Sequence, residues 1–244
     1  MSFTKRYLEL DALRGIAIIA MMIYHTLFDL TYFFAVTLPI PSTVWQPWSQ
    51  PIAFLFLLLV GVCSTISWQR SASYHRIQKL FKRFTIIAIG ALLISIITYV
   101  HQPESFVRFG ILHLIAVATL LQLPFQRFGT WNVAGALLWW LLGNVFLVAI
   151  EPLFKYLSIW FLLPLGIEPL GFLSVDYYPI IPWFAVILLG MGIASWLYPL
   201  GSKGYFHAIT WPNWLLLLGK QSLFVYLVHQ PIIYGALWLY FRFF

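Results

Sequence analysis

Long apolar stretches dominate this sequence and leave few folds open to it. About seven of them reach the length that a bilayer core of ~30 Å requires, and the chain is 62% hydrophobic and only 9% charged, with a mean hydropathy of +0.89. A soluble globular domain carries charge on about a quarter of its residues, so a soluble fold is excluded. The sequence predicts an all-α, polytopic membrane helical bundle that forms one domain over residues 1–244, with spans at 12–35, 51–69, 84–100, 109–124, 131–150, 179–198 and 214–241.

One further apolar segment, 151–178, is interrupted by prolines and glycines. These residues disfavour a regular span, so we expect a re-entrant or interfacial excursion that covers the outer mouth of the bundle as a lid. The alternative is an additional helix, which would make eight spans instead of seven.

The lysines and arginines predict the orientation. With a cytoplasmic N-terminus, eleven of the 14 lie on the inner side and three on the outer side, which satisfies the positive-inside rule. The same asymmetry accounts for the net charge of +7 without a nucleic-acid partner. The inner cations are Lys5, Arg6, Arg14, Arg70, Arg76, Lys79, Lys82, Arg83, Arg127, Lys203 and Lys220, and the outer ones are Arg108, Lys155 and Arg242.

Several classes of site have no signature in the sequence. Cys63 is the only cysteine, so no intramolecular disulfide can form. There is no His-x-x-x-His or Glu-x-x-His spacing, no Walker loop, no GxSxG elbow and no dinucleotide fingerprint. We therefore expect no metal.

Polar side chains form a stripe along the first apolar helix. Asp11, Arg14, His25 and Asp29 fall within about 60° of one another on the helix surface and span roughly 27 Å of its axis. Because ionisable residues inside a membrane span are costly, they are expected to face protein or water and to have a function.

Two other predicted helices repeat the pattern. Ser222, Tyr226 and His229 share one face of the last helix, and Arg108 is followed by His113 in the fourth. Each histidine alone is as readily a packing residue bonded to a neighbouring helix. Three of them in a small bundle favour a shared polar cavity.

The spacing of His25 and Asp29, four residues apart, suggests acid–base chemistry. A carboxylate at this distance can accept the proton of one imidazole nitrogen and leave the other nitrogen free as a base or nucleophile. Without a protein serine, the group attacked or deprotonated would be a hydroxyl or amine of a substrate.

Four blocks of sequence carry a family resemblance. The chain resembles the acyltransferase-3 membrane acyltransferases and, more closely, the bacterial members of the heparan-α-glucosaminide N-acetyltransferase catalytic-domain-like family. The blocks are LDALRGIA at 10–17 with His25 following, RFGILH at 108–113, DYYPIIPW at 176–183, and LGKQSL at 218–223 continuing to HQP at 229–231.

The resemblance implies transfer of an acetyl or other acyl group from cytosolic acyl-CoA to a sugar hydroxyl or amine of an extracytoplasmic glycan or glycolipid, by a multi-pass protein of the bacterial inner membrane. His25 is then the base or transient acyl carrier and Asp29 its orienting carboxylate, with His113 as a further catalytic residue. The expected donor site comprises Asp11, Arg14, Arg76, Lys79, Lys220 and Ser222, and the expected acceptor side comprises Arg108, Asp176, His229 and Gln230.

One departure concerns the outer loop after the first helix. The animal lysosomal enzyme of the family has its key histidine there, whereas residues 36–50 contain none. A covalent acetyl-histidine route and direct transfer therefore both stay open, and in direct transfer His113 or His229 could share the work of His25.

Trp45 and Trp48 of this loop are interfacial anchors or, less commonly, stacking platforms for a sugar.

Three further alternatives stay open. Asp176 at the outer mouth either binds sugar hydroxyls or pairs with Arg108 as a latch. The buried histidines and Asp29 could instead form the proton relay of a transporter or lipid-handling protein, although no inverted repeat is visible. The polar residues could also serve helix packing in a partner subunit without chemistry.

Overall fold

The computed structural model describes residues 6–154, 156, 160–199, 202 and 209–244. Within them the protein is all-α, without a β-strand, and has one isolated parallel bridge between Phe109 and Tyr177. The helices are α1 (Leu8–Tyr32), α2 (Ser42–Trp45), α3 (Ser49–Arg70), α4 (Ser73–His101), α5 (Ile111–Leu121), α6 (Asn132–Phe154), α7 (Ile180–Leu197), α8 (Asn213–Lys220) and α9 (Ser222–Phe243).

Six helical segments in the described residues are long and apolar enough to cross a membrane. They correspond to six of the predicted spans and are Leu8–Tyr32, Ser42–Arg70, Ser73–His101, Gly129–Phe154, Ile180–Leu197 and Ser222–Phe243. The protein is therefore a multi-pass membrane protein.

The fourth predicted span, 109–124, is shorter in the structure than in the sequence pattern. Helix α5 has 11 residues, a length of about 17 Å at 1.5 Å per residue, and is followed by a 3₁₀ turn with Pro124 in its first turn. Proline has no N–H to continue an α-helix, so the apolar run persists beyond the point at which the helix ends.

The last predicted span, 214–241, is divided. Helix α8 ends at Lys220, Gln221 leaves the helical conformation with φ −101° and ψ 20°, and α9 begins at Ser222. Only α9 is long enough to span a bilayer.

The chain divides into two units. The first comprises Met1–Phe56 and Lys203–Phe244, and in it α1 packs against α8 and α9. A side chain on Gly219 of α8 would overlap the backbone oxygen of Asp11 in α1. The two helices therefore touch at the level of their backbones, beside a core of Ala12, Leu215 and Leu216.

The second unit comprises Leu57–Ser202. Here α6 packs on α7 and α4 packs on α5. Phe184 of α7 is fully buried and lies edge-on to Trp139 of α6, with a centroid distance of 5.1 Å. In the same unit the segments 105–109 and 175–178 are joined by backbone hydrogen bonds, from Val175 N–H to the Ser105 oxygen at 2.9 Å and from Tyr178 N–H to the Phe109 oxygen at 3.0 Å.

The described part of 151–178 continues α6 to Phe154 and then contains a 3₁₀ turn, Trp160–Leu165. Lys155 and residues 157–159 of this predicted lid lie outside the described residues, as do the topology cations Lys5 and Lys203.

Candidate functional site

Two of the three histidines singled out from the sequence meet in the first unit. The rings of His25 on α1 and His229 on α9 have centroids 4.9 Å apart. His229 is 5% exposed, and Tyr24 packs edge-on to the partly buried His25. Two imidazoles therefore lie side by side between two candidate membrane spans.

The orientation of His229 is set by its own helix. Its Nδ1 lies 2.7 Å from the backbone oxygen of Tyr226. A carbonyl oxygen only accepts hydrogen bonds, so Nδ1 carries the proton and donates, and the lone pair of the neutral ring is on Nε2. That Nε2 is buried and has no hydrogen-bond partner among the described residues.

Asp29 forms a second contact between the same two helices. Its fully buried carboxylate accepts a hydrogen bond at Oδ1 from Gln230 Nε2, at 2.8 Å. Asp29 Oδ2 and Gln230 Oε1 are buried without partners in the described part of the chain. The predicted hydrogen bond from His25 to Asp29 is not formed, because the carboxylate is held by the facing helix instead of by the histidine one turn earlier on its own helix.

At the other end of α1, Asp11 is paired with two arginines. Arg6 donates from Nε and from Nη2, the latter at 2.9 Å, and Arg14 donates from Nη1 at 3.0 Å. The Asp11 side chain is almost fully buried, whereas Arg6 is mostly exposed and Arg14 is partly exposed. The group has one net positive charge, and Arg14 uses a single N–H in it. Arg6 was not predicted as a site residue, because it precedes the helix and follows no helical periodicity.

Two other predicted donor residues belong to the same unit. Lys220 directly follows Gly219, whose backbone touches that of Asp11, and its side chain is exposed. Ser222 is the first residue of α9 and is partly buried. The α1–α8 contact thus brings Lys220 to the same end of the unit as Asp11.

His113 belongs to the second unit and has both ring nitrogens engaged. Its Nδ1 accepts the N–H of Gly110 at 3.2 Å, so the neutral ring carries its proton on Nε2, which lies 3.2 Å from Ser95 Oγ. Ser95 in turn donates to the backbone oxygen of Val107 at 2.6 Å. These bonds cap the start of α5 and favour a positioning role for His113 over that of a free base.

Asp176 is also bound to the start of α5. Its Oδ2 accepts the N–H of Ile111 at 3.0 Å, and a side chain on Gly110 would overlap the same oxygen. Burial raises the pKa of the Asp176 carboxyl to about 6, against the opposing effect of the hydrogen bond from Ile111. No ion pair joins Asp176 to Arg108 among the described residues, so the predicted latch is absent as an ion pair.

Arg108 instead donates to the backbone oxygen of Leu173 at 2.7 Å. Its guanidinium lies over the rings of Phe106, Trp160 and Phe172, at 4.2, 5.0 and 5.6 Å from their centroids. Arg108 also lines a cavity of about 560 Å³, whose walls include Leu92, Ser95, His113 and Phe161.

The predicted donor cations Arg76 and Lys79 fold onto the turn between α3 and α4. Arg76 Nε donates to the Ser71 backbone oxygen at 3.0 Å, and Lys79 Nζ lies 3.2 Å from Ser71 Oγ. The Arg76 guanidinium also lies over the Trp68 ring, 5.1 Å from its centroid. Both cations therefore have a structural use in the second unit.

Two remaining expectations concern the tryptophans and metals. Trp45 is 1% exposed and packs edge-on to Tyr24, so it is a core residue and not an interfacial anchor, whereas Trp48 is 49% exposed. In the part of the chain that the structure describes, no three His, Cys, Asp or Glu side chains gather as metal ligands.

Comparison with known proteins gives one match. The family model described as "Heparan-alpha-glucosaminide N-acetyltransferase, catalytic" matches residues 6–231. This range includes every candidate site residue described above. No curated protein and no solved structure matches the chain.

Proposed function

The chain belongs to the heparan-alpha-glucosaminide N-acetyltransferase catalytic family, and we propose that it acetylates an extracytoplasmic glycan or glycolipid from cytosolic acetyl-CoA. The members of this family are acetyltransferases that use acetyl-CoA. The proposed location is the bacterial inner membrane, with the N-terminus in the cytoplasm. We propose a single catalytic domain over residues 1–244 with seven spans, which are the six span-length helices and, fourth along the chain, the shorter apolar helix α5 together with the 3₁₀ turn that follows it.

The observation that supports this proposal most strongly is the buried polar contact between α1 and α9. Two candidate spans hold His25 beside His229 and Asp29 beside Gln230. Burying such groups in a membrane is costly, so ionisable residues inside spans are candidates for a functional site. Direct transfer requires a base beside the acceptor, and this contact supplies two imidazoles for it.

Helix α1 joins this contact to the proposed donor site. Arg14 and His25 are eleven residues apart in one continuous helix, a separation of about 16 Å, which an extended pantetheine arm can bridge. Arg14 keeps donors available for a donor phosphate or for the thioester oxygen. Asp11 and Arg14 would hold the donor, with Arg76, Lys79, Lys220 and Ser222 as further donor-side residues.

At the transfer site we propose His25 as the acyl carrier or, if the acetyl group is transferred directly, as a base whose work His229 shares. Asp29 then acts through its hydrogen bond to Gln230, and His113 acts by positioning α5. Arg108, Asp176, His229 and Gln230 are the proposed acceptor-side residues. The acceptor is a sugar amine, in keeping with N-acetyl transfer, or a sugar hydroxyl.

Inside-out vesicles that contain the protein test the proposal. They are supplied externally with acetyl-CoA labelled in the acetyl group and loaded internally with glucosamine as a probe acceptor. We expect labelled N-acetylglucosamine inside the vesicles, and His25→Ala should abolish it while His101→Ala, at an exposed histidine, should not. Full activity of a folded His25→Ala protein would refute the site assignment. A pH-driven solute flux without acetyl transfer would favour a transporter.

A further inference from the structure

We propose that direct transfer uses His229 as its general base in place of His25, whose ring packs against it. In this step Nε2 of His229 takes the proton from the attacking acceptor nitrogen. The inference rests on the proposed function and assigns a catalytic step within it. It follows from the different hydrogen bonding of the three histidines, since His229 and His113 form hydrogen bonds and His25 forms none within the described chain.

A histidine base needs one nitrogen anchored as a donor and the other free as an acceptor. His229 alone among the three meets both conditions. Its Nδ1 donates to the Tyr226 carbonyl at 2.7 Å, and its buried Nε2 is without a partner in the described residues. His113 has both nitrogens bonded inside the second unit. His25 makes ring contacts but no hydrogen bond within the described chain.

The anchor of His229 is independent of any bound substrate. The carbonyl belongs to Tyr226, three residues earlier in the same helix, so the ring tautomer is set whenever that part of α9 is folded. A base with a fixed tautomer does not have to reorganise during the reaction, which is the general advantage of a preorganised group.

Neighbouring groups of the α1–α9 contact also suit an amine. Asp29 Oδ2 and Gln230 Oε1 are buried oxygens that have no donor among the described residues, and both can accept N–H or O–H groups. Together with His229 Nε2, these oxygens make three acceptor atoms without a donor in the described part of the chain. Two belong to the adjacent residues 229 and 230 of α9, and the third belongs to Asp29 of α1. A donor-rich amino sugar complements this set.

Direct transfer moves the acetyl group from the thioester sulfur to the acceptor nitrogen without an acyl-enzyme intermediate. The neutral acceptor amine attacks the thioester carbon of acetyl-CoA, which forms a C–N bond and places the carbonyl electron pair on oxygen. His229 Nε2 takes one proton from the attacking nitrogen. The C–S bond then breaks, the carbonyl re-forms, and the coenzyme A thiolate takes the proton from the imidazolium, which leaves an acetamide, a thiol and neutral His229.

His229→Asn separates the base from the structural anchor. The asparagine amide can reproduce the donation of Nδ1 to the Tyr226 carbonyl, but it has no basic nitrogen in place of Nε2. We expect kcat with glucosamine to fall by about 10²-fold or more, the usual contribution of a general base. Thermal stability and the dissociation constant of coenzyme A should stay close to those of the wild type, and His101→Asn is the exposed control.

Hydroxylamine as a second acceptor distinguishes a lost base from a disturbed structure. It is largely unprotonated at neutral pH, and after attack its nitrogen gives up a proton to water more readily than that of glucosamine. His229→Asn should therefore lose much less activity with hydroxylamine than with glucosamine. Equal losses with both amines, or glucosamine activity within threefold of the wild type, would overturn the assignment. Failure of the wild-type protein to acetylate either amine would instead count against the proposed function, and with it this inference.

Discussion

At the scale of single residues, the hydrogen bond between Asp29 and Gln230 links two membrane spans through a buried carboxylate. Asp29 is fully buried, and within the described part of the chain its carboxylate accepts one hydrogen bond, from the Gln230 amide at 2.8 Å. A hydrogen bond to a charged group contributes about 1.5–3 kcal/mol, and loss of a buried partner costs its desolvation in addition. The pair therefore matters to the stability of the α1–α9 contact as well as to its chemistry.

Gln230→Leu should lower the free energy of unfolding by about 1–3 kcal/mol, because it removes the only donor of the Asp29 carboxylate in the described structure. Thermal unfolding in detergent measures the effect. Gln78→Leu, at an exposed glutamine of α4, is the matched control. The double variant Asp29→Asn, Gln230→Leu should recover part of the loss, since a neutral amide is less costly to leave buried; equal melting points for Gln230→Leu and the control would contradict the interpretation.

These residues also show what a single sequence can predict at this scale. Helical spacing identified His25, Asp29 and His229 as buried polar groups, because periodicity along one helix reports which residues share a face. It paired Asp29 with His25, since it carries no information about the facing helix. The partner, Gln230, is 201 positions away in the chain, and only the packing of α1 on α9 reveals it.

Arg14 illustrates a residue whose effect should be confined to one substrate. Arg14 donates one hydrogen bond to the Asp11 carboxylate, and Arg6 donates two. Arg14→Gln therefore leaves Asp11 paired with Arg6. We expect the KM for acetyl-CoA to rise about tenfold or more, because a charge-assisted hydrogen bond is worth about 1.5–3 kcal/mol. The KM for glucosamine should change less. Initial rates in vesicles measure both constants, with Arg242→Gln as the exposed control; an equal rise in the two constants would count against a donor role.

At the scale of helices, the contact of α1 with α8 depends on the absence of a side chain at Gly219. A Cβ there would overlap the backbone oxygen of Asp11, whereas a Cβ on Gly235 of α9 would meet nothing within 4 Å. Gly219→Ala should therefore destabilise the protein by about 1–3 kcal/mol through overpacking. Gly235→Ala should be neutral or slightly stabilising, because alanine favours a helix over glycine by ~1 kcal/mol.

Thermal melts of the two alanine variants under identical detergent conditions measure this difference. The acetyl-CoA KM of Gly219→Ala should rise as well, since the displaced helix carries Lys220 and touches Asp11. Identical melting points for the two variants would show that the helices are not in backbone contact.

The junction between Asp176 and α5 should make stability depend on pH. Burial raises the pKa of Asp176 to about 6, above the ordinary value of about 3.9 for an unfolded aspartate. Between these values the folded protein binds the proton that the unfolded chain has lost, so the free energy of unfolding falls as the pH rises from about 4 to about 6. The change is at most ~3 kcal/mol, at about 1.4 kcal/mol per pKa unit.

Asp176→Asn should flatten this pH dependence, because the amide oxygen can still accept the Ile111 N–H but does not titrate. Melting temperatures measured between pH 4 and pH 7 test the expectation. A slope in the variant equal to that of the wild type would show that other groups cause it.

Helix boundaries were less predictable from the sequence than the existence of the helices. Six of the apolar stretches correspond to span-length helices because a run of apolar residues is a strong signal. The apolar run continues beyond the end of α5, where a 3₁₀ turn with Pro124 in its first turn follows. The last apolar run also continues across the break at Gln221. Hydropathy does not register such breaks, since they depend on backbone conformation and packing.

At the scale of the whole molecule, the charge distribution supports the proposed direction of the reaction. The described cations Arg70, Arg76, Lys79, Lys82 and Arg83 cluster at the turn between α3 and α4 and in the first turns of α4. Anionic headgroups and the positive-inside rule favour such a cluster in the cytoplasm. In the proposed reaction the donor end of α1 faces the cytoplasm as well, because acetyl-CoA is a charged cytosolic metabolite that does not cross a bilayer.

This orientation is testable by cysteine labelling, since Cys63 is the only native cysteine. In a Cys63→Ala background, Gln78→Cys and Glu104→Cys place one thiol near each end of the 29-residue helix α4, at exposed positions. A membrane-impermeant maleimide should label residue 104 from the outside of spheroplasts and residue 78 only in inside-out vesicles. The reverse pattern would put Arg14 on the outer side, away from cytosolic acetyl-CoA, and transmembrane transfer along α1 would then be untenable even if the chemistry at His25 and His229 survived.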